Sequence, residues 1–139
     1  MNKANSPALL DELTDFLAKD NEIVVAIAFG SLISGRMRPD SDIDIAILTR
    51  SPMTPEQKEH LLQGLACLTG RAVDLVDLRT AGVVLMQSIL RQGKRLICRD
   101  RRAYDHLVAK MLTDAADFLP GHQRLLEARA EAWLRAGHG

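Results

Sequence analysis

Apolar positions along the chain alternate between short continuous runs and longer stretches with helical spacing. Strands are predicted over residues 23–29, 41–48, 71–78 and 94–98. Helices are predicted over residues 7–18, 54–68 and 81–91, with a long helix from Arg101 and a last helix over 122–136. This order predicts an α/β (α+β) fold, in which a small mixed sheet of about four strands is flanked by helices and followed by C-terminal helices.

Local signals mark where these elements begin and end. Thr54 and Pro55, with Gln57 three residues after the cap, predict a capping box at the start of the second helix. Gly70 and Gly93 are expected to end the second and third helices. The charged strand over 94–98 is expected at an edge of the sheet, and Asp100 is expected to cap the long helix that follows it.

Two predictions concern which apolar side chains are buried. The helix over 81–91 is expected to turn four residues inward, namely Val84, Leu85, Ser88 and Ile89. The chain has two cysteines, Cys67 and Cys98, which are too few for a disulfide framework or a zinc cage. Each lies among apolar residues, so we expect buried free thiols.

Composition indicates one domain over residues 1–139, with a core over about 8–100 and a helical extension over about 101–136. Lys and Arg total 18, as do Asp and Glu, which argues against broad attraction to nucleic acid or membranes. A local basic stretch runs from 91 to 102. The start has no apolar signal core, and no run approaches the roughly 18 apolar residues of a membrane span. We therefore expect a cytoplasmic protein of a prokaryote.

The strongest chemical signal is a pair of carboxylates at the start of the second predicted strand. Asp42 and Asp44 are two residues apart, so they face the same side of a strand. Two anions that enter a run as apolar as 45–48 are costly unless a cation lies between them. Their oxygen ligands favour Mg²⁺.

The loop before this strand has features that a phosphate group needs. Gly30 and Gly35 allow close backbone approach, and Ser31 supplies a hydroxyl. Arg36 and Arg38 can add positive charge, although solvated loop residues are an equally good interpretation. Together with the two carboxylates, this loop predicts a site for a metal-bound triphosphate.

The pattern Gly30-Ser31, 10 residues, then Asp42-Ile43-Asp44 resembles the signature of the polymerase-β-like nucleotidyltransferase superfamily. The size of the chain is similar to that of its minimal nucleotidyltransferase (MNT) branch, and the resemblance covers roughly residues 8–100. It implies a polymerase-β-like fold, ATP as substrate and two Mg²⁺ ions bridged by Asp42 and Asp44. Ser41 also matches the pattern and is expected to orient the Asp pair or cap the turn. The sequence departs from the pattern at 33–34, where a small residue followed by Arg is frequent, so either Arg36 substitutes for that Arg or triphosphate binding is weaker.

A third carboxylate is expected from the next predicted strand. In the superfamily that the chain resembles, an acidic residue on this strand completes the metal site, and Asp74 is the match. Asp77 is its competitor, but the two are three positions apart, so they face opposite sides of a regular strand. On this interpretation Asp74 also takes the proton of the nucleophile.

The resemblance also implies a function. MNT proteins of this size resemble the antitoxin of a toxin–antitoxin pair, which transfers AMP to a tyrosine of a HEPN-domain toxin, an RNA-cleaving enzyme. The implied partner is this toxin in a hetero-oligomer, with no direct contact to nucleic acid. One alternative is a non-catalytic antitoxin that covers the toxin. Another is a small-molecule nucleotidyltransferase of the aminoglycoside type, which the lack of an acidic cluster in the loops disfavours.

Overall fold

A computed structural model describes residues 7–35 and 42–118 of the chain. Five helices and four strands alternate in this part, in the following order: α1 (Pro7–Ala18), β1 (Ile23–Phe29), α2 (Ser31–Ser34), β2 (Ile43–Thr49), α3 (Pro55–Thr69), β3 (Val73–Asp77), α4 (Val83–Gln92), β4 (Lys94–Cys98) and α5 (Arg101–Phe118). The predicted mixed α/β fold is confirmed. The predicted helix over 122–136 lies outside the described residues.

The four strands form one mixed sheet in the order β3-β2-β1-β4. β1 pairs antiparallel with both β2 and β4, whereas β2 and β3 are parallel and joined by the crossover helix α3. The two central strands are almost wholly buried, which explains why they are continuous apolar runs rather than alternating ones. β4 lies at an edge, as its charges predict.

Helices cover both faces of the sheet, so side chains that alternate along each strand enter two separate cores. Ile43, Ile45 and Ile47 of β2 pack with α1 and α3 on one face. Ala46 and Leu48 pack with α4 and α5 on the other face, which we call the α4/α5 face. Tyr104 is buried in this second core, with Arg95 stacked 4.5 Å from the centre of its ring.

The predicted helix caps are present. The Thr54 side chain accepts a hydrogen bond from the Gln57 amide (3.1 Å), and the Gln57 side chain accepts one from the Thr54 amide (2.8 Å). Asp100 accepts from the amides of Arg102 (3.0 Å) and Ala103 (3.3 Å), so the start of α5 is capped. Within the described part of the chain, no helix combines the length and apolar character that crossing a membrane demands.

Two predictions about burial are wrong in part. Ile89 is buried as predicted and Ser88 is half-buried, but Val84 and Leu85 are exposed (66% and 39%), and α4 buries Met86 and Leu90 in their place. Four consecutive apolar residues open this helix, so the sequence does not fix which side turns inward. Cys67 is exposed and Cys98 is half-buried. α3 turns Leu61 and Leu65 toward the sheet, which leaves position 67 on its outer side.

Candidate active site

Asp44 and Asp74 are direct neighbours on the parallel strands β2 and β3. Both follow the alternation that directs Ala46 and Val76 toward the α4/α5 face, so the two carboxylates lie on the same side of the sheet. Neighbouring strands are about 4.8 Å apart, which brings the two acids close together. Asp44 is half-buried and Asp74 is exposed at the edge strand.

Asp42 adds a third negative charge to this end of the sheet. It comes directly before β2, two residues from Asp44, and is exposed. Burial raises the pKa of the Asp44 carboxyl, and the charges of Asp74 and Asp42 raise it further. The ionised form of Asp44 is therefore disfavoured as the residues stand, which is the electrostatic condition that a bound cation would relieve.

Gly30 brings the backbone of the preceding loop against Asp44. Phe29, the last residue of β1, pairs with Asp44 across the antiparallel ladder, so the chain leaves β1 beside the carboxylate. A β-carbon at position 30 would lie 2.2 Å from Oδ2 of Asp44. Gly30 also has a φ of +75°, which side chains disfavour. Both facts require glycine here.

The single turn α2 fixes Ser31 next to this contact. The Gly30 carbonyl accepts hydrogen bonds from the amides of Ile33 (3.1 Å) and Ser34 (3.0 Å). Leu32 is buried and packs into the core on the α1/α3 face, which anchors the turn. Ser31 is half-buried at the start of the turn, one residue from the backbone that touches Asp44.

Asp77, the competitor of Asp74, has a different place. It follows the alternation of Val73 and Leu75, so it does not share a face with Asp44. Its Oδ1 accepts a hydrogen bond from the Arg79 amide (2.9 Å) in the turn after β3. Of the two candidates, only Asp74 lies beside Asp44.

The donor set at this site is made of carboxylate oxygens, which Mg²⁺ prefers. In residues 7–35 and 42–118, no three His, Cys, Asp or Glu side chains form a group that encloses a metal ion by themselves. Mg²⁺ is commonly held by one or two carboxylates together with water and substrate phosphates. Asp44 and Asp74 lie side by side, and the pKa of Asp44 is raised by burial and by the neighbouring carboxylates. Both features fit that kind of ligation.

The family of the chain follows from comparison with known proteins. Residues 11–102 match the model of the polymerase β nucleotidyltransferase domain. The chain belongs to the polymerase β nucleotidyltransferase family. The matched residues include both strands that carry the acids and the loop between β1 and β2, so the geometry described above lies within the family domain.

Individual relatives are similar over most of this nucleotidyltransferase. It is 36% identical over 96 residues to the protein adenylyltransferase MntA of Shewanella oneidensis, which covers 69% of this chain and 67% of MntA. A solved structure of a toxin–antitoxin with AMP-PNP superposes with a TM-score of 0.71 at 28% identity, over 86% of this chain and 96% of the other. The structure of MntA–HepT gives 0.67 at 25% identity, over 88% and 97%.

Two residues predicted for nucleotide binding, Arg36 and Ser41, lie outside the described residues, as does Arg38. Their roles in this nucleotidyltransferase stay predictions. Two arginines of the basic stretch over 91–102 are engaged within the chain. Arg99 donates hydrogen bonds to carbonyls around the start of β1, including those of Asp20 (2.7 Å) and Ile23 (3.0 Å). Arg101 pairs with Asp105 (3.0 Å).

A cationic cavity at the other end of the sheet was not predicted from the sequence. It lies beside α5 and is lined by Arg102, His106 and Lys110. The four-residue spacing of these positions was the available signal, because residues at i, i+4 and i+8 share a helix face.

Proposed function

We propose that this protein is the antitoxin of a toxin–antitoxin pair, which transfers AMP from ATP to a tyrosine of a HEPN-domain toxin in a Mg²⁺-dependent reaction. The observation that carries the proposal is the in-register pair Asp44 and Asp74, with the Gly30 backbone packed on Asp44. Similarity to the protein adenylyltransferase MntA and to toxin–antitoxin complexes supports protein as the acceptor. Action in the prokaryotic cytoplasm is part of this proposal.

The three acids have two roles in this mechanism. Asp42 and Asp44 would hold the cations, Asp74 would join them from the neighbouring strand, and Asp74 would also act as the base. When bound, Mg²⁺ neutralises phosphate charge and stabilises both the attacking and the leaving oxygens. Asp74 accepts the proton of the tyrosine hydroxyl as the tyrosine oxygen bonds to the α-phosphorus of ATP. The bond from that phosphorus to the bridging oxygen breaks, and pyrophosphate leaves.

The loop after β1 positions the triphosphate. The absence of a side chain at Gly30 lets backbone and phosphate approach each other, and the Ser31 hydroxyl donates a hydrogen bond to a phosphate oxygen. Arg36 adds positive charge and Ser41 orients the Asp pair. No residue of the chain needs to act as a covalent nucleophile, because the enzyme contributes positioning and charge neutralisation.

Labelled ATP tests this function directly. The protein, Mg²⁺ and the product of the adjacent gene are incubated with ATP labelled at the α-phosphate, and the toxin band and its modified residue are identified. Asp42→Asn with Asp44→Asn should abolish transfer. Asp15→Asn, which removes an exposed carboxylate on α1, serves as the matched control and should not affect it. Equal labelling of the toxin by the wild type and the double variant would refute the assignment.

The same variants separate the two other candidate functions. An antitoxin that works only by covering the toxin would restore growth equally well with Asp42→Asn and Asp44→Asn, and no label would appear on the toxin. A small-molecule nucleotidyltransferase would raise resistance to aminoglycosides without the adjacent gene.

A further inference from the structure

A cavity of about 680 Å³ opens at the end of the sheet opposite to Asp44. Its walls come from α5 and from the residues that follow β2 and β3. Thr49 and Arg50 lie on this wall, and five residues of extended strand, or roughly 16 Å, separate Thr49 from Asp44. The cavity is therefore separate from the candidate active site.

Positive charge is concentrated around this cavity although the whole chain is neutral. Within residues 7–35 and 42–118, the charged side chains that line it are Arg50, Arg79, Arg102, Lys110 and Asp100. Asp100, the single acid among them, already accepts hydrogen bonds from the first amides of α5. Four cations against one engaged carboxylate make the cavity a site for an anion.

The cavity side of α5 carries two cations, Arg102 and Lys110. They lie two helical turns apart in one stripe along the helix, with His106 between them. Within the described ranges, no carboxylate lies within ion-pair distance of Arg102 or Lys110. Arg101 is one residue away and does pair with Asp105 (3.0 Å). The helix thus separates its paired charges from those that face the cavity.

Arg79 is held in place with a donor to spare. Its Nη2 donates to the carbonyls of Thr49 (2.6 Å) and Arg50 (2.8 Å), which fixes the guanidinium at the cavity wall. Its Nε is buried and has no hydrogen-bond partner among the described residues. The guanidinium therefore keeps its positive charge fixed at the cavity wall, where it favours an anion.

Apolar side chains complete the cavity. Val24, Leu48, Leu78 and Leu107 line it between the cations. An apolar surface beside a cationic wall suits a ligand that carries both a flat ring and a phosphate. The volume falls within the roughly 300–1,000 Å³ of small-molecule sites. We propose that this cavity binds a nucleoside phosphate, with the phosphate against Arg79, Arg102 and Lys110 and the ring on the apolar surface.

Calorimetric titration with AMP tests the proposal, in EDTA so that metal-dependent binding at the other site is suppressed. Arg102→Gln with Lys110→Gln removes two exposed cavity cations and keeps good helix formers. The matched control, Lys58→Gln with Arg91→Gln, removes two exposed helical cations outside the cavity. We expect the first pair to weaken AMP binding about tenfold or more and the control to leave it unchanged.

Further ligands and one further variant define the site. Adenosine and inorganic phosphate should each bind more weakly than AMP, and Asp42→Asn with Asp44→Asn should bind AMP like the wild type. A short oligoribonucleotide that binds more tightly than AMP would identify RNA as the source of the nucleotide, and equal affinity would identify the free nucleotide.

Four results would overturn the assignment. They are no AMP binding by the wild type, equal affinity for adenosine and AMP, unchanged binding in the Arg102 and Lys110 double variant, and loss of AMP binding in the Asp42 and Asp44 double variant. Melting curves of each variant exclude misfolding as the cause of a loss.

Discussion

The α-carbon of Gly30 lies so close to Asp44 that a β-carbon there would stand 2.2 Å from Oδ2 of the carboxylate. Real β-carbons do not make such contacts, so a larger residue would force Asp44 or the loop to move. The contact joins the end of β1 to the start of β2 and sets the position of the acid that the candidate site depends on. It is also a part of the site that a small substitution can test.

Gly30→Ala should lose stability and activity together, whereas Gly70→Ala should lose only stability. Both glycines have positive φ (+75° and +68°), so each alanine costs about 1–2 kcal/mol of backbone strain. In the described part of the chain, and apart from its own chain neighbours, no atom lies within 4 Å of a β-carbon built at Gly70. Displacing Asp44 should lower AMP transfer roughly 100-fold in Gly30→Ala. Chemical denaturation and transfer rates check this, and equal activity of the two variants would contradict it.

Asp44→Asn should make the protein more stable at neutral pH while it abolishes transfer. The raised pKa of Asp44 means that the fold favours its protonated form, so ionisation lowers the free energy of unfolding. This penalty is present above the folded-state pKa and is relieved as the pH falls through it. In EDTA at pH 7, Asp44→Asn should therefore melt at a higher temperature than the wild type, and this difference should shrink as the pH is lowered. Asp15→Asn is the control, and a lower melting temperature for Asp44→Asn at pH 7 would refute this account.

Mg²⁺ with a non-hydrolysable ATP analogue should raise the melting temperature of the wild type. A ligand that binds only the folded state stabilises it in proportion to the logarithm of its concentration over Kd. The part of the shift that EDTA abolishes should be missing in Asp44→Asn, because the carboxylate that holds the cation is gone. The Asp15→Asn control should respond like the wild type. A shift of the same size in Asp44→Asn would place the metal elsewhere.

Asp74→Ala and Asp77→Ala should have opposite consequences. Asp74 lies beside Asp44, so its loss should abolish transfer with little effect on folding. Asp77 accepts a hydrogen bond from the Arg79 amide (2.9 Å), so its loss should cost about 1 kcal/mol of stability and spare activity. Transfer rates and chemical denaturation, measured on both variants, show which variant loses activity and which loses stability. An active Asp74→Ala would remove this residue from the site.

Local signals in the sequence predicted element boundaries well. The bounds of α1, β1 and β4 agree with the prediction, because residues that start or stop regular structure flank each of these elements. The capping box at Thr54 and Gln57 depends on residues three apart, so it can be recognised without knowledge of the fold.

Packing decided what these local signals could not. Four consecutive apolar residues begin α4, and the contact of Met86 and Ile89 with the sheet, rather than the sequence, leaves Val84 exposed. The alternation along β3 correctly separated Asp74 from Asp77. The register that aligns Asp74 with Asp44 depends on how β3 pairs with β2 after the crossover helix. From the sequence, only the family resemblance suggested it. The approach of Gly30 to Asp44 is likewise invisible before the strands pair.

The parallel pairing of β2 and β3 makes the candidate site unusually sensitive to the length of the chain within β3. Inserting one residue between Ala72 and Val73 would move Asp74 by one position, turn its carboxylate into the apolar layer under α3 and place Val73 beside Asp44. The same insertion in the Ser51–Thr54 connection would leave the strand alignment intact. Insertions should therefore abolish activity within β3 and be tolerated in the Ser51–Thr54 connection. A scan of single-residue insertions along the chain, read out by activity, would show this difference.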